Sequence, residues 1–133
     1  RRNRPDAFAL TEQFAKKVTS HTGCPVHVYD ISDEKYLRSS RETSRILVNA
    51  TNVGMSPKEK ESPITDASFF HPELIVSDII YNPRQTKLLA MAQTAGCPTF
   101  NGMYMLLYQG AYAFELWTGK PMPVELVKNK YFK

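Results

Sequence analysis

The residues of this chain with the clearest capacity for chemistry lie in the run Asn101–Gly119, NGMYMLLYQGAYAFELWTG. A glycine opens it, apolar and aromatic residues follow round nearly the whole helical circumference, and one uncharged amide, Gln109, interrupts them. A helix apolar on all sides belongs in a core or between domains. With Gln109 and Glu115 inside it, the run falls short of the roughly 20 apolar residues that a membrane span needs. Gly102 and Gln109 stand seven residues apart, two helical turns, and so share about one face. Gly102 allows close approach to the backbone, and Gln109 offers a donor and an acceptor deeper in. The pattern is that of a small-molecule site; the alternative is a satisfied glutamine in a plain core.

Three further segments carry polar groups at strategic points. Asn49-Ala50-Thr51-Asn52-Val53-Gly54-Met55 ends an apolar run in small and amide residues. Such groups suit the lining of a cofactor site, with Gly54 permitting close approach or positive φ, although an ordinary turn with Asx hydrogen bonds has the same composition. Ser77-Asp78 and Tyr81-Asn82-Pro83 bracket the end of a second apolar run. Asp78 there must be paired or face a site, because an unpaired buried carboxylate is strongly disfavoured. A structural carboxylate bonded to backbone or hydroxyl groups is the other reading. Asn3-Arg4-Pro5-Asp6 sits where a strand would hand over to a helix. In dinucleotide-binding sheets an acidic residue at the end of the second strand bonds the adenosine ribose, and a nearby Arg suits a 2′-phosphate. Asp6 is otherwise a helix cap, and the arginines are solvated.

The elements that must position these groups follow from periodicity. Asp6 heads a helix with the stripe Leu10, Phe14, Val18, and Gly23 lies beyond its end. Pro25–Tyr29 reads as a short strand, and Ser32-Asp33-Glu34 opens a second helix through about Ser40. Arg45–Ala50 is a buried strand, and Thr51–Phe69 is a long connection of the kind usually functional or disordered. Leu74–Ile80 is the clearest strand, apolar on both faces as parallel strands tend to be. Pro83 breaks it, Gln85–Ala95 is helical, Gly96 stops that helix, and Cys97–Phe100 is a last short strand. The opening run supplies a helix over 103–118, ended by Gly119-Lys120-Pro121, and 123–131 is a final amphipathic helix. Alternating strands and helices predict an α/β layer with a parallel sheet. Ligands bind outside the carboxyl ends of such strands. Those ends are Arg2-Asn3-Arg4, Asp30, Asn49-Ala50-Thr51, Ile80-Tyr81-Asn82 and Asn101-Gly102, and four of the five carry Asn, a polar rim.

Bulk properties narrow the classes. A length of 133 residues fits one domain, and 42% apolar with 23% charged residues is ordinary for a soluble globular protein. The net charge of +4 is loaded at the ends, in Arg1, Arg2, Arg4 and Lys128, Lys130, Lys133, as a solvated fringe. No basic stripe interleaves with aromatics, so nucleic acid is not expected as a partner. Cys24 and Cys97 have no metal-ligand spacing and His21, His27 and His71 form no cluster, so no metal is expected. Reduced thiols and a cytoplasmic location are the default, with no signal peptide and no membrane partner. The chain opens without methionine on Arg1-Arg2-Asn3-Arg4 and reads as a fragment, 1–133 forming one cofactor-type domain.

Taken together, Asn3-Arg4, Asn49–Met55, Ser77–Pro83, Thr86-Lys87-Leu88-Leu89 and Asn101–Gly119 resemble the nicotinamide-binding domain of the shikimate/quinate 5-dehydrogenase family. The most specific piece is the Gly-x-x-Met-Leu-x-x-Gln-Gly-Ala core that starts at Gly102. The resemblance implies a Rossmann-like parallel sheet flanked by helices, incomplete at its first strand. The glycines at 23, 54, 96, 102, 110 and 119 never form GxGxxG, and on this reading that loop lies upstream. The implied activity is reversible oxidation of shikimate to 3-dehydroshikimate, or of quinate to 3-dehydroquinate, by NAD(P), in aromatic amino acid biosynthesis or quinate metabolism.

Carried over by position, Asn3, Arg4 and Asp6 would hold the adenosine ribose side, and Thr51 and Asn52 would lie along the cofactor. Ile79, Ile80, Tyr81 and Gly102 would border the nicotinamide, and Tyr81 and Gln109 would reach the polyol substrate. Members using NADP resemble Asn-Arg-Thr or Asn-Arg-Ser where this chain has Asn3-Arg4-Pro5 followed by Asp6. Proline offers no donor and a carboxylate repels a phosphate, so NAD is the expected cofactor, with NADP tolerated through Arg4. Two departures stand out. The family usually has a second glycine where this chain has Tyr104. Its catalytic Lys–Asp pair belongs to an amino-terminal substrate domain, so no catalytic residue is assigned here and the piece alone is expected to be inactive. Two alternatives are a catalytically silent sensor or regulator on the same fold, and a different Rossmann enzyme that uses the helix only as core. A sheet without its first strand leaves edges unpaired, which predicts a homodimer or a strand-swapped association.

Overall fold

The computed structural model describes residues 5–132, which fall into two compact units, one up to Thr43 and one from Ser44 onward. The first unit holds helices α1 (Pro5–Thr22) and α2 (Glu34–Thr43). Proline suits the first turn of α1 because its missing N–H would have no partner there. Asp6 therefore lies inside the helix and is not the cap ahead of it. The stripe expected on α1 does not make a core: Ala15 is buried, whereas Leu10 and Phe14 are 64% and 67% exposed. The described residues of this unit contain no sheet on which to lay that face.

The expected strand over Pro25–Tyr29 does not form. A strand exists only as part of a ladder, and the described residues of this unit offer none. Val26 N–H donates instead to Thr19 Oγ1 at 3.0 Å, and the Tyr29 ring stacks on Tyr36 with centroids 4.7 Å apart. Asp33 caps α2 through a 3.0 Å bond from the Lys35 N–H to its Oδ1.

The second unit contains three parallel strands, β1 (Ile46–Asn49), β2 (Ile75–Asp78) and β3 (Thr99–Phe100), in the order β1-β2-β3. That consecutive order matches the 4-5-6 half of a 3-2-1-4-5-6 sheet. The outer edge of β1 has no strand beside it among the described residues, and Ile46 and Val48 are exposed. The long connection between β1 and β2 is folded: Val53, Ile64, Phe69 and Phe70 are buried, and a single 3-10 turn, Ala67–Phe69, is capped by Asp66. Gly54 has φ +99°, the conformation that favours glycine there. Helix α3 (Lys87–Thr94) buries Leu88, Leu89 and Ala92 and contacts β2 and β3.

Helices α4 (Met103–Thr118) and α5 (Val124–Tyr131) close the chain and pack on each other. The helix expected to be buried on all sides is not: Leu107 is its one buried residue, while Tyr112, Leu116 and Trp117 are 75%, 83% and 81% exposed. Three short strands and two eight-residue helices offer too little surface to enclose a helix of 16 residues. No helix among the described residues is long and apolar enough to cross a membrane.

Candidate functional site

The site is built at the carboxyl ends of β1 and β2, where the register sets Asn49 opposite Asp78. Both side chains are buried. Asn49 Nδ2 donates to Asp78 Oδ1 at 3.1 Å and to the Val53 carbonyl at 3.2 Å. Its Oδ1 accepts from the Thr51 hydroxyl at 2.7 Å and the Thr51 N–H at 3.1 Å. Asp78 Oδ1 also accepts from the Ile80 N–H at 3.0 Å, and Oδ2 accepts from the Thr86 hydroxyl at 2.7 Å. Thr86 in turn caps α3, its Oγ1 accepting from the Leu89 N–H at 3.3 Å. Asp78 is thus satisfied by backbone and side-chain donors, the structural alternative raised by its position in an apolar strand.

This buried network underlies a cavity of about 480 Å³ lined by Ala50, Thr51, Asn52, Met55, Ser56, Ile79, Ile80, Tyr81, Asn82 and Met105. That volume lies within the range of small-molecule and cofactor sites, roughly 300–1,000 Å³. It brings together five residues expected from the sequence: Thr51, Asn52, Ile79, Ile80 and Tyr81. Its apolar side chains come from the β2 end, the loop after β1 and the first turn of α4; amide and hydroxyl groups supply the polar contacts. None of the lining residues is charged. An uncharged, mostly apolar wall with a few amides and hydroxyls has the character of a small-molecule site.

Gly102 packs against the protein's own backbone. Its N–H donates to the Ile80 carbonyl at 3.0 Å, and a Cβ added there would meet the Ile79 carbonyl oxygen at 1.9 Å. The close approach expected of Gly102 is therefore made to Ile79, which seats the start of α4 on the floor of the cavity.

The remaining expectations divide. The polar rim of asparagines splits by role: Asn49 is buried in the network, and Asn101 holds the loop by donating to the Arg84 carbonyl and accepting from the Met103 N–H. Asn52 and Asn82 line the cavity. Gln109 is exposed, donates to the Leu106 carbonyl at 3.2 Å and is not part of the lining, so the buried glutamine read from the sequence is corrected. It sits on the uncovered face of α4. Tyr104 lines a separate cleft with Arg84, Gln93 and Phe100, away from the cavity wall. Asn3 and Arg4 lie outside the described residues, as does the side chain of Asp6. Ser56 and Met105 line the cavity without having been singled out for it, whereas Asn82 belongs to the expected rim. Met105, one turn after Gly102, was legible as the helix position above the strand end. Among the described residues no group of three His, Cys, Asp or Glu side chains is placed to hold a metal.

Residues 102–130 match the family described as the Shikimate 5′-dehydrogenase C-terminal domain. The chain is 47% identical over 131 residues to shikimate dehydrogenase (NADP(+)) of Listeria monocytogenes serotype 4b, covering 98% of this chain and 45% of that relative. It is similar to the crystal structure of shikimate 5-dehydrogenase from Listeria monocytogenes in complex with shikimate and NAD. The TM-score is 0.83 at 46% identity, over 92% of this chain and 42% of that one. It is also similar to quinate dehydrogenase from Corynebacterium glutamicum in complex with NAD, with a TM-score of 0.70 at 27% identity, over 91% of this chain and 42% of that one. The chain therefore spans somewhat less than half the length of the relatives it matches.

Proposed function

This chain belongs to the shikimate dehydrogenase family, and from that premise we propose that residues 1–133 form the NAD(P)-binding part of a shikimate or quinate dehydrogenase. The observation that carries the proposal is the uncharged cavity at the carboxyl ends of β1 and β2. When bound, NAD(P) accepts hydride from the ring alcohol of the substrate. The residues of this chain hold and orient it: Thr51 and Asn52 lie along the nucleotide, and Ile79, Ile80 and Tyr81 form the wall against the nicotinamide. Gly102 contributes by seating α4 on Ile79, which keeps Met105 over the same wall. Tyr81 and Gln109 reach the polyol, Gln109 from the face of α4 that this chain leaves uncovered. The proton of the alcohol goes to a base outside this chain, so the piece alone is inactive.

Asp6, following Pro5 and Arg4, favours NAD over NADP, because a carboxylate accepts from a ribose hydroxyl and repels a 2′-phosphate. The outer edge of β1, beside which the described residues set no strand, is where a further strand, of the same protein or of a second copy, adds to the sheet.

The test is reduction of NAD and NADP by the intact protein that carries this chain, with shikimate and with quinate. Turnover with either alcohol, and a lower KM for NAD than for NADP, is the expected result. Tight nucleotide binding without turnover makes the chain part of a sensor. Turnover only with other alcohols sinks the substrate assignment. Clearly tighter NADP binding sinks the cofactor preference.

A further inference from the structure

The buried carboxylate of Asp78 takes no part in hydride transfer, and its surroundings give it a different task. Two chains of hydrogen bonds end on it, one from Leu89 through Thr86 and one from Val53 through Thr51 and Asn49. The Thr86 hydroxyl accepts from the Leu89 N–H, so its own proton goes to Asp78 Oδ2. Asp78 Oδ1 takes a donor from Asn49, which turns the Asn49 amide so that its oxygen faces Thr51. The reverse orientation would put the amide oxygen against both Asp78 and the Val53 carbonyl, and the NH₂ against the Thr51 N–H. With Asn49 so fixed, the Thr51 N–H and hydroxyl both donate to it, and Thr51 Oγ1 also accepts from the Val53 N–H at 3.1 Å. Thr51 has no donor left. Acceptor capacity alone remains for a ligand at this point of the cavity wall.

We infer that Asp78 is a positioning residue for the cavity: through Asn49 it sets Thr51 as a hydrogen-bond acceptor, which selects a donor group of the ligand. Resting on the dehydrogenase reading, that donor is an amide N–H or a ribose hydroxyl of the nicotinamide nucleotide, and phosphate oxygens are rejected there. The four side chains involved sit on the β2 end, the α3 cap, the β1 end and the loop after it, so the inward wall inherits its polarity from behind the sheet.

A double-mutant cycle on the intact protein, read as the dissociation constants of NADH and NADPH by fluorescence titration, tests this. Asp78→Asn and Thr51→Val are each expected to weaken binding roughly ten-fold, and the double variant to bind no worse than Thr51→Val alone. Thr51→Ser, which keeps the hydroxyl, is expected to restore most of the affinity. Multiplying effects, roughly a hundred-fold in the double variant, would overturn the inference. So would an Asp78→Asn protein with a lowered melting temperature and unchanged nucleotide affinity. If Asp78→Asn does not fold, Thr86→Val and Thr86→Ser take its place: the first removes one donor to Asp78, the second keeps it. Weaker binding for Val with recovery for Ser supports the role, and equal affinity for both removes it. If the unsubstituted protein binds neither nucleotide, the dehydrogenase reading itself fails; if it binds and the cycle multiplies, only the positioning role fails.

Discussion

Asn49 and Asp78, the last residues of two neighbouring parallel strands, are joined side chain to side chain across their register pair at 3.1 Å. The amide also holds the Val53 carbonyl and both donors of Thr51, so one buried side chain ties two strands to the loop that follows the first. Asn49→Ala leaves those groups without their partner and is expected to cost about 1–3 kcal/mol. Asn49→Asp sets two carboxylates face to face and is expected to cost more. Urea denaturation of the two variants checks the order.

Gly102 is expected to tolerate no side chain. A Cβ there would stand 1.9 Å from the Ile79 carbonyl oxygen and 2.5 Å from its carbon, and both are backbone atoms that cannot swing aside. Gly102→Ala must push α4 off the β2 end, at a cost of about 3 kcal/mol or more. Thermal melts read the loss. An unchanged melting temperature would show that the junction has slack.

Leucines of the second unit divide sharply by exposure. Leu88 is 1% exposed and Leu116 is 83% exposed. Leu88→Ala is expected to lose about 2–5 kcal/mol in this chain, and Leu116→Ala to stay within about 0.5 kcal/mol. Chemical denaturation of the 133-residue chain makes the comparison. A large loss at Leu116 would mean that α4 is covered in solution.

The two thiols should differ in reactivity and in their effect on stability. Burial pushes the Cys97 thiol up, partly opposed by a backbone hydrogen bond at His71, while Cys24 is exposed. A raised pKa in the folded state means that the fold favours the protonated thiol. Its contribution is fully present below the unfolded thiol's pKa and is lost as pH rises through the folded one. Stability should therefore fall above about pH 9, and less so in Cys97→Ala measured against its own neutral-pH value. Thiol reagents should label Cys24 rapidly and Cys97 only on unfolding.

Much of the second unit was legible because its signals are local. Apolar runs marked β1, β2 and α3, and the strand-end rule points to Thr51, Tyr81 and Asn82. What misled was every inference that needed a neighbour. Pro25–Tyr29 has strand composition, but composition cannot supply a ladder. Leu10 and Phe14 have helix-stripe spacing, and the unit they fold in gives them no sheet. Gln109 reads as the polar group of a buried site, or as a satisfied core amide, because its helix is apolar all round, yet only Leu107 of that helix is buried. Gly102 was read as making room for a ligand; the nearest occupant of that space is Ile79, and nothing in the residue types distinguishes the two. The direction of the Asn49 amide was equally invisible, since it depends on a carboxylate that lies 29 positions away.

The contact between Gly102 and Ile79 also bears on motion. With the α4 N-terminus bonded to the Ile80 carbonyl and no side chain between the two backbones, the segment from Ile79 to Met105 has no hinge at this junction. Two walls of the cavity are thereby tied to each other, and the flexible side chains of Met55 and Met105 are left as the adaptable part of the lining. A ligand entering there meets a surface already set, so little ordering accompanies its binding.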